Sequence, residues 1–147
     1  MKKIFVSFSL LLTAGLSSAF ANSDPDPDQK VLDAFKTEFA SAKEVEWSVG
    51  ANYFKATFNY NGKYVFAFYS ENGELLGLTR YLSPADLPLA LQANLKKNYE
   101  GYWVSDLFEA SKNDGTNYYI TLENADSKIV LKSSGNSWSV HNKIKKA

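Results

Sequence analysis

Apolar residues recur in this chain in two rhythms, every fourth position over one helix-length stretch and every second position over several shorter ones, and the whole succession is written twice. Over residues 29–40, Val31, Phe35 and Phe39 stand at steps of four with Ala34 beside them. That places one narrow apolar stripe on an otherwise charged helix, which needs a surface to lie on. Val45 and Trp47 then alternate with Glu44, Glu46 and Ser48, predicting a short strand with one dry side. Longer strands are predicted over 53–59, 63–70 and 74–82.

The turns set the register. Tyr60-Asn61-Gly62 and Glu71-Asn72-Gly73 both suit three-residue loops in which a type I turn ends in a left-handed glycine, pairing Asn59 with Lys63 and Ser70 with Glu74. One face then collects the rows Phe54–Phe68–Leu76, Ala56–Phe66–Leu78 and Phe58–Tyr64–Arg80. A two-residue loop at the first turn would slip the pairing by one and set these aromatics against Tyr53, Lys55 and Thr57, so the longer loop is preferred. The opposite face becomes Tyr53–Tyr69–Leu75, Lys55–Ala67–Gly77 and Thr57–Val65–Thr79, with Tyr81 at its end. This is a shallow trough of small residues rimmed by tyrosines, which combine a broad apolar ring with a hydroxyl and are enriched where proteins grip one another.

The second copy opens at Ser83-Pro84-Ala85-Asp86, a helix start with a cap, a first-turn proline and an acid three residues on. An interior Pro88 would cost about 3 kcal/mol, so the regular helix is expected from about Leu87 to Asn98, with Leu91, Leu95 and Tyr99 repeating the stripe. Strands follow over 102–112, 116–123 and 128–133, and Trp138 with Val140 suggests a short fourth. The Asn113-Asp114-Gly115 turn is expected to pair Phe108 with Ile120 and Ala110 with Tyr118. A tight Ala125-Asp126 turn brings Ile129 and Leu131 into the same layer and leaves Tyr119, Lys128, Val130 and Lys132 outward. Alternation would turn Asp106 inward, and a bulge near Asp106-Leu107 would relieve this. The fold class is therefore α+β: a helix followed by about four antiparallel strands, twice, over 29–82 and 83–147 within one domain.

Ahead of this lies Met1-Lys2-Lys3, an apolar run over 4–16 and small residues up to Ala19-Phe20-Ala21. This is the form of a secretory signal over 1–21 with an A-x-A cleavage site, followed by an acidic, proline-containing leader over 22–28. The apolar run is shorter than the roughly 20 residues that span a bilayer, so export to the periplasm or medium is expected, without stable membrane insertion. The chain holds no cysteine, hence no acylated-Cys anchor and no disulfide. About 125 residues remain, enough for one self-sufficient core. Lys plus Arg equals Asp plus Glu at 16 each, and losing Lys2 and Lys3 with the signal makes the rest mildly acidic, which argues against nucleic-acid binding. The Asp24, Asp26, Asp28 and Lys143, Lys145, Lys146 runs read as solvated termini. His141 is the only histidine, and neither a nucleophile elbow nor a phosphate loop is present. Glu44 and Glu46 share a strand face, but no third ligand stands at a recognisable spacing. No catalytic residue, metal site or cofactor is assigned.

The strings Val31-Leu-Asp-Ala-Phe35 with Phe39, Val45-Glu-Trp47, Tyr53-Phe-Lys-Ala-Thr-Phe58, Asn72-Gly73-Glu74 and Asp86-Leu-Pro88 resemble the beta-lactamase-inhibitor-like, PepSY-like family of exported bacterial proteins over almost the whole chain after the signal. The resemblance implies tandem helix-plus-sheet units and a concave sheet surface able to hold a target. It carries over no inhibitory residues, and this chain lacks the disulfides of beta-lactamase inhibitory protein. Two functions are consistent with this reading. One is a non-enzymatic module that clasps a protein of the cell envelope, a peptidase or other enzyme, across the sheet face, with Tyr53, Lys55, Tyr69, Leu75, Tyr81, Tyr119 and Lys132 as candidate contacts. The other is a carrier whose sheet curls around a small apolar or aromatic ligand. The sequence leaves the oligomeric state open.

Overall fold

The computed structural model describes residues 26–147, so the signal segment and most of the leader lie outside the described residues. Elements follow in the order α1 (Gln29–Glu38), β1 (Lys43–Val49), β2 (Phe54–Tyr60), β3 (Lys63–Tyr69), β4 (Leu75–Tyr81), a 3-10 turn (Pro84–Asp86), α2 (Leu89–Asn98), β5 (Trp103–Lys112), β6 (Gly115–Glu123), β7 (Ser127–Ser134) and β8 (Ser137–Lys145). All eight strands join one continuous antiparallel sheet in sequence order. Among the described residues no helix is long and apolar enough to cross a membrane.

The stripe of α1 works as its spacing suggests. Val31 and Phe35 are buried against Ala56, Phe58, Ala67 and Tyr69, with Phe39 and Trp47 closing the sides. Phe35 packs edge-on against Phe58 (centroids 5.0 Å apart) and Trp47 (5.3 Å), the geometry that ring quadrupoles favour. In the second half Pro88 stands ahead of the helix, its carbonyl accepting from the Leu91 and Gln92 N–H groups, so its missing donor costs nothing. The preceding turn is closed by Asp86, whose carboxylate accepts from the Ser83 N–H and hydroxyl, both at 2.9 Å. Under α2 lies a second core of Leu87, Leu107, Ile120, Leu122, Ile129 and Leu131, and the Trp138 indole N–H ties β8 to the helix through the Leu91 carbonyl at 3.1 Å.

Both helices cover the same side of the sheet. Leu78 belongs to the first core and pairs with Ser111, and Arg80 pairs with Glu109, so alternation places Leu107 of the second core on that side too. Arg80 donates to both Glu109 carboxylate oxygens, at 3.2 and 3.0 Å, where the two halves meet.

Two of the expected registers are corrected. At the first turn Tyr60, not Asn59, pairs with Lys63, because Asn61 (φ 52°) and Gly62 (φ 79°) form a two-residue loop with both residues left-handed. Such a turn matches the twist of the flanking strands, and Asn-Gly is its best sequence. The slip reverses β3: Val65, Ala67 and Tyr69 lie beneath α1, while Tyr64, Phe66 and Phe68 face the other way. The Ser70–Glu74 loop forms as expected, with Gly73 left-handed and the Ser70 N–H on the Glu74 carbonyl at 2.9 Å. Tyr69 then pairs with Leu75 but Phe68 with Gly77, leaving Leu76 as a bulge that returns Leu78 and Arg80 to the helix side. The Asn113-Asp114 turn is likewise two residues long, pairing Lys112 with Gly115, Phe108 with Tyr119 and Ala110 with Asn117, so Phe108 faces away from α2. Asp106 faces outward because it follows the reversed Phe108 in unbroken register, and the break in pairing lies earlier than anticipated, between Val104 and Asp106, where it returns Val104 to the helix side opposite Leu122. The Ala125-Asp126 turn and the outward setting of Tyr119, Lys128, Val130 and Lys132 follow the sequence reading.

Candidate docking face

The side of the sheet away from the helices carries no covering element among the described residues. Pairing partners share a face, so three adjacent rows can be read across it. The first runs Lys55–Phe68–Gly77, the second Thr57–Phe66–Thr79–Ala110–Asn117, and the third Tyr81–Phe108–Tyr119–Lys132–Ser139. Lys112, two residues beyond Ala110, ends the first row on β5.

Aromatic rings touch across these rows. The Phe66 and Tyr81 rings meet edge-on at 5.7 Å, Phe108 stacks on Tyr119 at 5.1 Å with the planes 10° apart, and His141 sets its edge against Tyr119 at 5.6 Å. Lysines cap both ends, with Lys55 Nζ 5.7 Å from the Phe66 ring centre and Lys132 Nζ 5.7 Å from that of Tyr119. Tyr53 leans edge-on over Phe68 at 5.5 Å; its ring occupies the place where a side chain on Gly50 would be, so the glycine admits it. The depth of these groups differs. Phe68 and Phe108 are only 9 % and 7 % exposed although no layer lies above them, whereas Tyr81 is 62 % exposed. Apolar rings thus form the floor, and hydroxyls and ammonium groups form the rim.

Five of the seven candidate contacts, Tyr53, Lys55, Tyr81, Tyr119 and Lys132, are brought together on this face. Tyr69 and Leu75 are not. The reversed β3 puts Tyr69 wholly inside the first core, its hydroxyl donating to Glu38 at 3.1 Å, and Leu75 packs beside it. Burial and the adjacent Glu38 carboxylate raise the Tyr69 pKa far above that of a free phenol. In their place the face gains Tyr64, Phe66, Phe68 and Phe108, which reading Asn61-Gly62 and Asn113-Asp114 as two-residue turns would have found.

Charge is distributed unevenly over the face. The Tyr64 hydroxyl donates to Glu44 at 3.2 Å, and that carboxylate, with Glu46 nearby, raises the phenol pKa. Asp106, in the row beyond Phe108, has its pKa raised by burial, against the opposing pull of the Leu107 N–H and Lys128. Glu123 has its pKa lowered by hydrogen bonds from Ser105 and Lys146, the latter an ion pair at 3.1 Å whose ammonium also sits 4.8 Å from the Trp103 ring centre. Among the described residues no three His, Asp or Glu side chains converge as a metal site would require. Open grooves lie elsewhere: one of ≈ 570 Å³ runs beside α2 along Leu95, Tyr99, Tyr102 and Val104, and one of ≈ 490 Å³ lies between α1 and β1 along Phe35, Phe39, Val45 and Trp47.

No family model and no curated protein matches the sequence. Solved structures do share the fold. A BLIP-like protein from Bacteroides fragilis NCTC 9343 superposes with a TM-score of 0.72 at 21% identity, over 82% of this chain and 87% of that one. A DUF2874 family protein from Bacteroides ovatus ATCC 8483 gives 0.73 at 18% identity, over 82% and 89%. A protein from Bacteroides eggerthii DSM 20697 that carries a provisional periplasmic designation gives 0.70 at 16% identity, over 84% and 90%. The fold is thus the α+β, BLIP-like one that the sequence resemblance implies.

Proposed function

We propose that this chain, with its BLIP-like fold, is an exported binding module that holds a protein of the cell envelope against its open sheet face and inhibits or modulates that partner. The observation that carries the reading is the aromatic band from Phe66 through Tyr81 and Phe108 to Tyr119, which crosses the side of the sheet that neither helix covers. Rigid rings in a recessed floor with a polar rim are the usual makeup of a protein contact that must also stay soluble alone. The provisional periplasmic designation of one fold neighbour fits the export signal, and the BLIP-like fold supports a binding role by analogy of architecture.

Affinity capture from an envelope extract of the native host tests this. Tyr81 is mostly exposed, so Tyr81→Ala should leave the melting temperature within a few degrees of wild type while weakening capture of the partner about tenfold or more, as loss of a central aromatic contact does. Undiminished capture by Tyr81→Ala counts against the reading. A reproducible added mass of about one kilodalton or less in native mass spectrometry, the scale of a pocket ligand, replaces it with the carrier function.

A further inference from the structure

The open face is chemically one-sided in a way that specifies what it can hold. Within the three central rows, strands β2 to β7 point three lysines outward, Lys55, Lys112 and Lys132, and no carboxylate. Carboxylates stand outside these rows: Glu44 and Glu46 on edge strand β1, Glu74 and Asp114 in turns, Asp106 in the following row, and Glu123, paired with Lys146, in the row after that. Among the described residues Lys55 and Lys132 have no ion-pair partner, and each holds its ammonium over a ring of the band. The full chain carries no net charge, so this cationic centre reflects segregation of charge onto one surface.

We propose that the partner meets this face with an acidic projection, a loop or turn whose apolar tip rests on Phe66, Tyr81 and Phe108 while its flanking carboxylates reach Lys55 and Lys132. The inference rests on the open face being the docking face and adds the chemistry of what docks. Shape favours a protein projection over an anionic lipid surface: membrane-binding faces push apolar side chains outward, whereas in the three central rows Phe68 and Phe108 are sunk and the mostly exposed ring, Tyr81, carries a hydroxyl. A recessed apolar floor with a charged rim receives a protrusion, and complementary charge then fixes its register and speeds its approach.

Short synthetic peptides sharing a central Leu-Phe pair and differing only in flanks of glutamate, glutamine or lysine provide the probe. The glutamate peptide should bind about tenfold more tightly than the glutamine one, with the lysine peptide weakest and the preference fading as salt rises. The double variant Lys55→Gln, Lys132→Gln should erase the preference, and Lys55→Arg, Lys132→Arg should keep it. Equal binding of the glutamate and glutamine peptides, still lost in Tyr81→Ala, overturns the acidic projection and leaves the docking face standing. Binding of no peptide overturns the inference, and if phosphatidylglycerol vesicles bind in their place the face is a lipid surface and both readings fall.

Discussion

Asp106 and Asp86 are both acids on the surface of this chain, yet their surroundings give them opposite effects on stability. Asp106 is half-buried in the row beside Thr121 and Val130, and desolvation raises its pKa above the ordinary carboxylate value. The native state therefore holds this proton more tightly than the unfolded chain does. Stability falls as pH rises from the unfolded value, near 3.9, through the raised native value, and the penalty is complete at neutral pH. Asp106→Asn should accordingly raise the melting temperature at pH 7 by about 1–3 °C, with the gain disappearing as melts are repeated down to about pH 4. A variant less stable than wild type at pH 7 would mean that the Leu107 N–H and Lys128 outweigh burial. Asp86 shows the reverse sign: the Ser83 N–H and hydroxyl lower its pKa, so its contribution is present above the ordinary carboxylate value and is lost as pH falls through the native one. Ser83→Ala should therefore destabilise the chain at pH 7 more than at pH 3, by a margin measurable in the same melts.

At the scale of elements the turns decide which residues are available for function. Gly62 and Gly73 are both left-handed, but an added Cβ at Gly62 meets nothing within 4 Å, whereas at Gly73 it would stand 2.9 Å from the Lys30 carbonyl oxygen in α1. Gly62→Ala should cost about 1 kcal/mol, the backbone term alone. Gly73→Ala should cost roughly 2–4 kcal/mol, because the β3–β4 loop must also draw away from the helix. Urea midpoints compare the two directly, and equal losses would mean that this loop does not brace α1. The same turns mark where sequence reading succeeded and where it did not. Helix stripes and strand limits were legible to within a few residues for most elements because period and turn residues agree there. β8 was the exception: its exposed, lysine-rich end from His141 to Lys145 hides a nine-residue edge strand. The facing of β3 was not legible, because Val65-Phe66-Ala67-Phe68-Tyr69 is apolar on both sides and burial cannot choose between registers. The choice fell to the turn, and the two-residue Asn-Gly loop prevailed. The Leu76 bulge then undid the slip for β4, so the rows of β2 and the end of β4 kept their expected side while Tyr69 and Phe66 exchanged theirs.

Across the whole molecule the two helix-covered cores are joined through one strand pair, and its two sides differ in kind. On the helix side the junction is the Arg80–Glu109 pair, at 3.0 Å and partly exposed; on the open side it is Tyr81 opposite Phe108, with Phe108 stacked on Tyr119. Partly exposed ion pairs contribute about 1 kcal/mol, somewhat more when bidentate, whereas removing a buried phenyl ring costs about 3–5 kcal/mol. The face proposed to bind a partner should therefore also contribute most to holding the halves together. Phe108→Ala should lower stability several-fold more than Glu109→Gln, and hydrogen exchange should rise first in β4 and β5 while amides of β2 and β7, each deep within its own core, stay protected. The opposite ordering would place the linkage on the polar side and leave the aromatic band available for recognition alone. If the expected ordering holds, a partner seated on Tyr81 and Phe108 bridges both halves at their junction, and binding should slow exchange in β4 and β5 more than in either core.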